Sequence, residues 1–171
     1  MTKFLLSLHV LAAIIAVGPV TVAASMFPPS ARKALAEPDS ERAVSAVRLL
    51  HRICRVYGGV GIAVPVLGFA TALSMGVLKD AWLIVSMLLT ALAAMVLLAL
   101  VLPRQEEILE GLGGTTVGSG TGAAAGTGTV TVTVTGRAAT ARLAMFTGVF
   151  NLLWATVTIL MIVRPGSTTG A

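Results

Sequence analysis

The chain has 171 residues, 56% of them hydrophobic and only 11% charged, with a mean hydropathy of +0.95. Soluble domains carry about 25% charged residues, so the composition excludes an ordinary soluble enzyme and indicates a membrane protein with no separate soluble domain. The net charge of +5 does not point to nucleic acid. The basic residues cluster beside apolar segments, where they act as topology determinants and contacts to anionic lipid.

The first apolar segment covers residues 4–24, close to the roughly 20 residues that a transmembrane helix needs. A cleaved signal peptide is the rival reading, with Lys3 before the apolar run and Val22-Ala23-Ala24 as a cleavage site. Cleavage would require export of Arg32, Lys33, Arg42, Arg48, Arg52 and Arg55, which the positive-inside rule disfavours, so an uncleaved span is expected. Pro28-Pro29 are expected to stop this helix, leaving a loop to Pro38.

Asp39 or Ser40 then caps a basic helix on which Arg48, Arg52 and Arg55 form one stripe and Val44, Val47, Leu50 and Cys54 another. This pattern predicts a short amphipathic helix at the membrane surface over residues 42–55. It passes without a break into a second span, residues 53–78. Gly68, Ala72 and Gly76 recur every four residues, a small-residue groove for helix packing. Pro65 is expected to kink this span and to free the carbonyl near Gly61. Lys79-Asp80 forms a tight reversal into a third span, residues 81–102, with Trp82 as an interfacial anchor. Its Ser86, Thr90 and Ala94 match the groove of the second span.

Pro103 and Arg104 are expected to end the third span, with residues 105–112 as a short acidic turn of helix. Residues 113–136 are rich in Gly and Thr and uncharged, the composition of a flexible linker. The Val-Thr alternation from Val130 to Thr135 has strand period but no pairing partner. A phosphate-binding loop is excluded because its lysine and following hydroxyl residue are absent. The fourth span covers residues 138–163, and Thr147, Asn151, Ala155 and Thr158 give it a polar stripe that should face the bundle interior.

The architecture expected is therefore all-α, a four-transmembrane-helix bundle. Lys3, Lys79 and Arg164 lie on one side of it, and the other nine basic residues on the other. Both termini are accordingly expected to face outward, with the Gly/Thr-rich loop in the cytoplasm.

Few residues offer chemistry. His9 lies within the first span, where an ionisable group is costly and marks a functional candidate. A neutral imidazole bonded to a backbone carbonyl, to Ser86 or to Asn151 is the structural alternative. His51 is expected at the cytoplasmic edge as a solvated residue. One heme iron is out of reach of both histidines, since about seventeen residues, roughly 25 Å of helix, separate His9 from the inner end of its span. His9 with Met75, Met87 and Met161, all in the outer half, makes a candidate set for Cu(I), and His/Met also ligates heme; core packing is the alternative for the methionines. The single Cys54 makes no internal disulfide. No carboxylate lies within a span, which weighs against a proton-coupled transporter, and no catalytic triad can be assembled.

The opening Leu8-His9-Val10-Leu11-Ala12-Ala13, with Gly18 downstream, resembles the first helix of a bacterial family of integral membrane proteins of unknown function. The close from Trp154 through Met161-Ile162-Val163-Arg164-Pro165 is similar to that family's ending, while residues 113–136 depart from it. The Leu-His opening also resembles the copper-resistance D membrane domain and the integral-membrane protoporphyrinogen oxidase. These resemblances imply a multi-pass protein of the bacterial plasma membrane, with His9 as a heme b or copper ligand. The oxidase's other polar and charged residues have no counterpart. The first expectation is a non-enzymatic bundle or assembly subunit. Heme or copper handling through His9 comes second, and a porphyrinogen-oxidase-like enzyme third. The partners implied are the bilayer, anionic lipid along residues 42–55, and a second copy or another membrane protein.

Overall fold

The computed structural model describes residues 2–37, 39–117 and 128–166, those from 114 to 136 by backbone alone. Every regular element among the described residues is helical. These are α1 (Thr2–Ala36), α2 (Glu41–Val60), α3 (Ala63–Met75), α4 (Ala81–Met95), a π-helical stretch Val96–Val101, α5 (Leu102–Val117) and α6 (Gly128–Val163). They assemble into four rods long and apolar enough to cross a membrane: α1, α2 with α3, α4 through α5, and α6.

Each rod is longer than a membrane requires. The 35 residues of α1 reach about 52 Å, against about 30 Å of hydrocarbon. The surplus lies at the end that carries most of the arginines, and there the helices pack into a stalk. Phe27, Ala31 and Ala34 of α1, Val44 and Val47 of α2, Ile108 and Leu112 of α5 and Leu143 of α6 share one buried cluster, which continues into the spans through Val101, Leu97 and Phe150.

This stalk corrects two sequence expectations. Pro28-Pro29 do not end the first helix, which runs on to Ala36. An interior proline costs about 3 kcal/mol through its missing N–H and its ring. Here its fixed φ is already helical, and Ala24, Phe27, Ala31 and Ala34, all fully buried, hold the turn by packing. The basic helix is likewise no surface float. Its apolar face (Val44, Val47, Cys54) is buried against neighbouring helices, while Arg48, Arg52 and Arg55 are exposed. Ser40 is its N-cap, but through its carbonyl, which accepts from the amides of Ala43 and Val44 at 2.9 and 3.1 Å.

The second rod breaks between α2 and α3, where Pro65 removes the donor that the Gly61 carbonyl would use. That carbonyl accepts instead from the Val64 amide at 3.1 Å in a tightened turn. The rod ends at Met75 rather than Leu78. Gly76 is left-handed (φ 70°), with its amide on the Leu73 carbonyl and the Val77 amide on the Ala72 carbonyl. This is a Schellman ending, so Gly76 terminates a helix instead of lining a groove.

Pro103 does not end the third rod. The chain widens into the π-helical stretch immediately before it, and the Leu102 amide reaches back to the Leu97 carbonyl, five residues away. Such a widened turn moves the proline ring away from the preceding carbonyls. α5 then covers the expected acidic turn and continues to Val117. Residues 113–117 and 128–136 are thus helical rather than linker or strand. Extending an existing helix avoids the cost of nucleation, and Val and Thr weaken it by well under about 1 kcal/mol each. The rest of that expected loop, residues 118–127, lies outside the described residues.

Truncating Phe27, the largest fully buried side chain of the stalk, should cost about 3–5 kcal/mol. Phe27→Ala is expected to expose the Arg32-Lys33 bonds to trypsin in nanodisc-embedded protein, while the wild type resists cleavage there.

Candidate functional site

The bundle holds its polar side chains at three levels. Near the sparsely charged end, His9 of α1 is 8% exposed and lies against α3. Its Nδ1 is 3.0 Å from the Val64 carbonyl oxygen. A carbonyl only accepts, so Nδ1 is the donor in this contact. Gly68 creates the space for the ring: a Cβ at that position would stand 2.9 Å from His9 Cε1 and 3.6 Å from Nε2. Of the partners expected for a neutral imidazole, the structure selects the backbone carbonyl. Ser86 bonds the Trp82 carbonyl and Asn151 bonds Ser25.

The methionines do not form the inner wall around this ring. Met87 is 44% exposed on the outer surface of α4. Met75 and Met161 are half-buried, and Met75 lies seven residues, about 10 Å of helix rise, beyond Gly68. Ala72, expected beside Gly68 in a packing groove, joins a small cluster with Trp82 and Leu83. Trp82 is more than an interfacial anchor. Its Nε1 donates to Asp80 at 3.1 Å, and the Arg164 guanidinium sits 5.6 Å from the ring centroid, tying α4 to the end of α6.

At the foot of the stalk lies a constellation that the sequence reading missed. Gln105 is fully buried. Its Oε1 accepts from His51 Nδ1 at 3.1 Å, and its Nε2 donates to Cys54 Sγ at 3.6 Å. Glu106 lies 3.7 Å from His51 Nε2, an ion pair whenever the imidazole is protonated. His51 is therefore a clamp between α2 and α5 rather than a solvated residue. The available signal was spacing: His51 and Cys54 share a face of α2 at i and i+3, and Gln105, Ile108 and Leu112 share one of α5. Among the described residues no group of three His, Cys, Asp or Glu side chains is placed to hold a metal.

The third level is the contact between α1 and α6, where Asn151 Nδ2 donates to Ser25 Oγ at 3.1 Å. Of the expected polar stripe on α6, Thr147 is buried and Asn151 half-buried, whereas Ala155 and Thr158 face outward. A crevice of about 100 Å³ opens beside the α2–α3 break, lined by Tyr57, Gly58, Gly61, Pro65, Leu97 and Trp154. Pockets for small-molecule ligands usually enclose about 300–1,000 Å³. Comparison with protein-family models, curated proteins and solved structures yields no match to this chain.

Two outcomes test these contacts. Gly68→Ala should destabilise the protein by about 1–3 kcal/mol through overpacking against His9. The same change in a His9→Ala background should be close to neutral, a double-mutant coupling measurable by unfolding in mixed micelles. Cys54, fully buried, should react with N-ethylmaleimide only in denaturant. Gln105→Ala should bring that reaction into native conditions, as read by mass spectrometry.

Proposed function

We propose that this chain is a non-enzymatic membrane bundle, an assembly or partner subunit of the bacterial plasma membrane, with both termini outward and the basic stalk in the cytoplasm. The observation that carries this reading is the structural engagement of polar side chains along α1, α3 and α4. His9 bonds the Val64 carbonyl, Thr71 the Leu67 carbonyl, Ser86 the Trp82 carbonyl and Thr90 the Ser86 carbonyl. None of these contacts pairs a nucleophile with a base. The orientation is supported by the excess of arginine at the stalk. The exposed Arg48, Arg52 and Arg55, alongside exposed Leu49 and Val56, support contact with anionic headgroups where the stalk enters the bilayer. A small stalk above four spans presents surface for another protein or a second copy.

A second reading has one observation in its favour. Histidines that bind metal commonly donate their other N–H to a backbone carbonyl, and His9 makes such a contact through Nδ1. The edge Nδ1–Cε1–Nε2 lies along α3, touching Val64 and Gly68. Heme or copper handling through His9 is therefore the alternative, with Met75 and Met161 as half-buried thioethers. Copper there would supply transient storage or transfer of the ion.

Absorption and metal analysis of detergent-purified protein from heme- and copper-replete cells separates the two readings. A colourless, metal-free protein, unchanged by His9→Ala, is expected; copper lost in His9→Ala would establish the second reading instead. Topology is checked on a Cys54→Ser protein carrying Ser45→Cys, an exposed stalk position. An impermeant maleimide should label it only after spheroplasts are opened, and labelling of intact spheroplasts would reverse the orientation.

A further inference from the structure

The contact between α1 and α6 holds more hydrogen-bonding capacity than the protein uses. Thr147, 3% exposed, finds no partner within the protein for its Oγ1, and neither does the buried Oδ1 of Asn151. The two residues are one helical turn apart on α6, so their side chains are neighbours on one face. The bonds Ser25–Asn151 and Arg32–Thr140 fix α1 and α6 as antiparallel and set their register. Interpolating between them places Thr147 level with Phe27 and Pro28.

That level of α1 has its own deficit. Pro28 and Pro29 lie inside the helix and have no N–H, so the carbonyls of Ala24 and Ser25 receive no donor from four residues on. Ala24 is fully buried. The two shortages therefore fall at one level of the contact between α1 and α6: a proline-freed carbonyl on α1, and an orphan amide oxygen with an orphan hydroxyl on α6. An unmade hydrogen bond of a buried polar group costs about 1–3 kcal/mol.

We infer that one water molecule is bound between α1 and α6, donating to Asn151 Oδ1 and the Ala24 carbonyl and accepting from the Thr147 hydroxyl. The chemistry selects water over a cation. The site lacks a donor, the ligand must be small, and among the described residues no carboxylate lies near it to neutralise a buried positive charge. Buried waters commonly make about three hydrogen bonds to otherwise unsatisfied groups, which is the number offered here.

The test is water-edited solid-state NMR of the full chain in lipid bilayers, reading magnetisation transfer from water to assigned side chains. Exposed stalk residue Ser45 serves as the wet control and Phe150, 2% exposed, as the dry one. Strong early transfer to Asn151 and Thr147 is expected, with none to Phe150. Thr147→Val keeps the shape but removes the hydroxyl, and loss of the Asn151 signal in that variant is expected. Pro28→Ala returns an amide donor to the Ala24 carbonyl and should weaken the same signal without disturbing the Ser25–Asn151 contact. Absence of transfer to Asn151 in the folded wild type overturns the inference, and so does a signal unchanged in both variants. A shift of the Asn151 amide on exchanging sodium for choline would identify a cation and overturn it as well.

Discussion

The bundle depends on how closely α1 approaches its neighbours. That helix touches α2, α3, α5 and α6, and the face it turns to them is built largely of small residues: Ala16, Ala23, Ala24, Ala31 and Ala34, with Val20 and Phe27 between them, all buried. In a bilayer the lipid tails are as apolar as leucine, so burying a large aliphatic side chain brings little net gain. Association comes instead from close contact and hydrogen bonding, which small side chains permit. His9 depends on the same proximity. It meets Val64 and Gly68 because the backbone of α3 comes close and Gly68 offers no Cβ.

Close approach imposes a second requirement, that every backbone group displaced by a proline find another partner. The chain meets it differently at each site. At Pro65 the helix is interrupted and the Gly61 carbonyl takes the Val64 amide in a tighter turn. Before Pro103 the helix widens by a residue per turn. At Pro28-Pro29 it does neither and runs on, because the flanking Ala24, Phe27 and Ala31 are locked in the core. A tightened turn and a widened one satisfy carbonyls within the rod. A straight passage, which α1 also makes at Pro19, leaves the carbonyl four residues earlier without its usual donor.

The number and class of the elements were legible in the sequence because hydropathy and charge placement report solvent directly. The break before Pro65 was legible for a similar reason, since a missing N–H is a local fact. What could not be read was where tertiary packing outweighs a local breaker. Pro28-Pro29 and Pro103 look like helix stops until the buried faces around them are known, and the stalk follows from that. Among site residues, the burial of Cys54 and the exposure of Arg48, Arg52 and Arg55 followed from helical periodicity. The use of Gln105 as a bridge to His51 did not, because it joins residues more than fifty positions apart. Gly76 shows the limit of spacing arguments. It fits a small-residue repeat perfectly on paper, yet its positive φ makes it a helix terminator.

One continuous core thus serves two solvents. Inside the spans, Ala93, Val96, Leu97 and Phe150 face an environment as apolar as themselves. Beyond Arg55, Arg104 and Arg142, the residues Phe27, Val47, Ile108, Leu112 and Leu143 belong to the same cluster but stand at or beyond the aqueous boundary. There, burial brings the full hydrophobic gain of about 25 cal/mol per Å², with the temperature and denaturant dependence that accompanies it. The stalk is accordingly the part of the molecule stabilised in the manner of a soluble protein. Gln105, His51 and Cys54 sit at the junction of the two regimes. A polar bridge is well placed there: it remains bonded whichever solvent is near, and it fixes α2 against α5 at the level where the packing rules change.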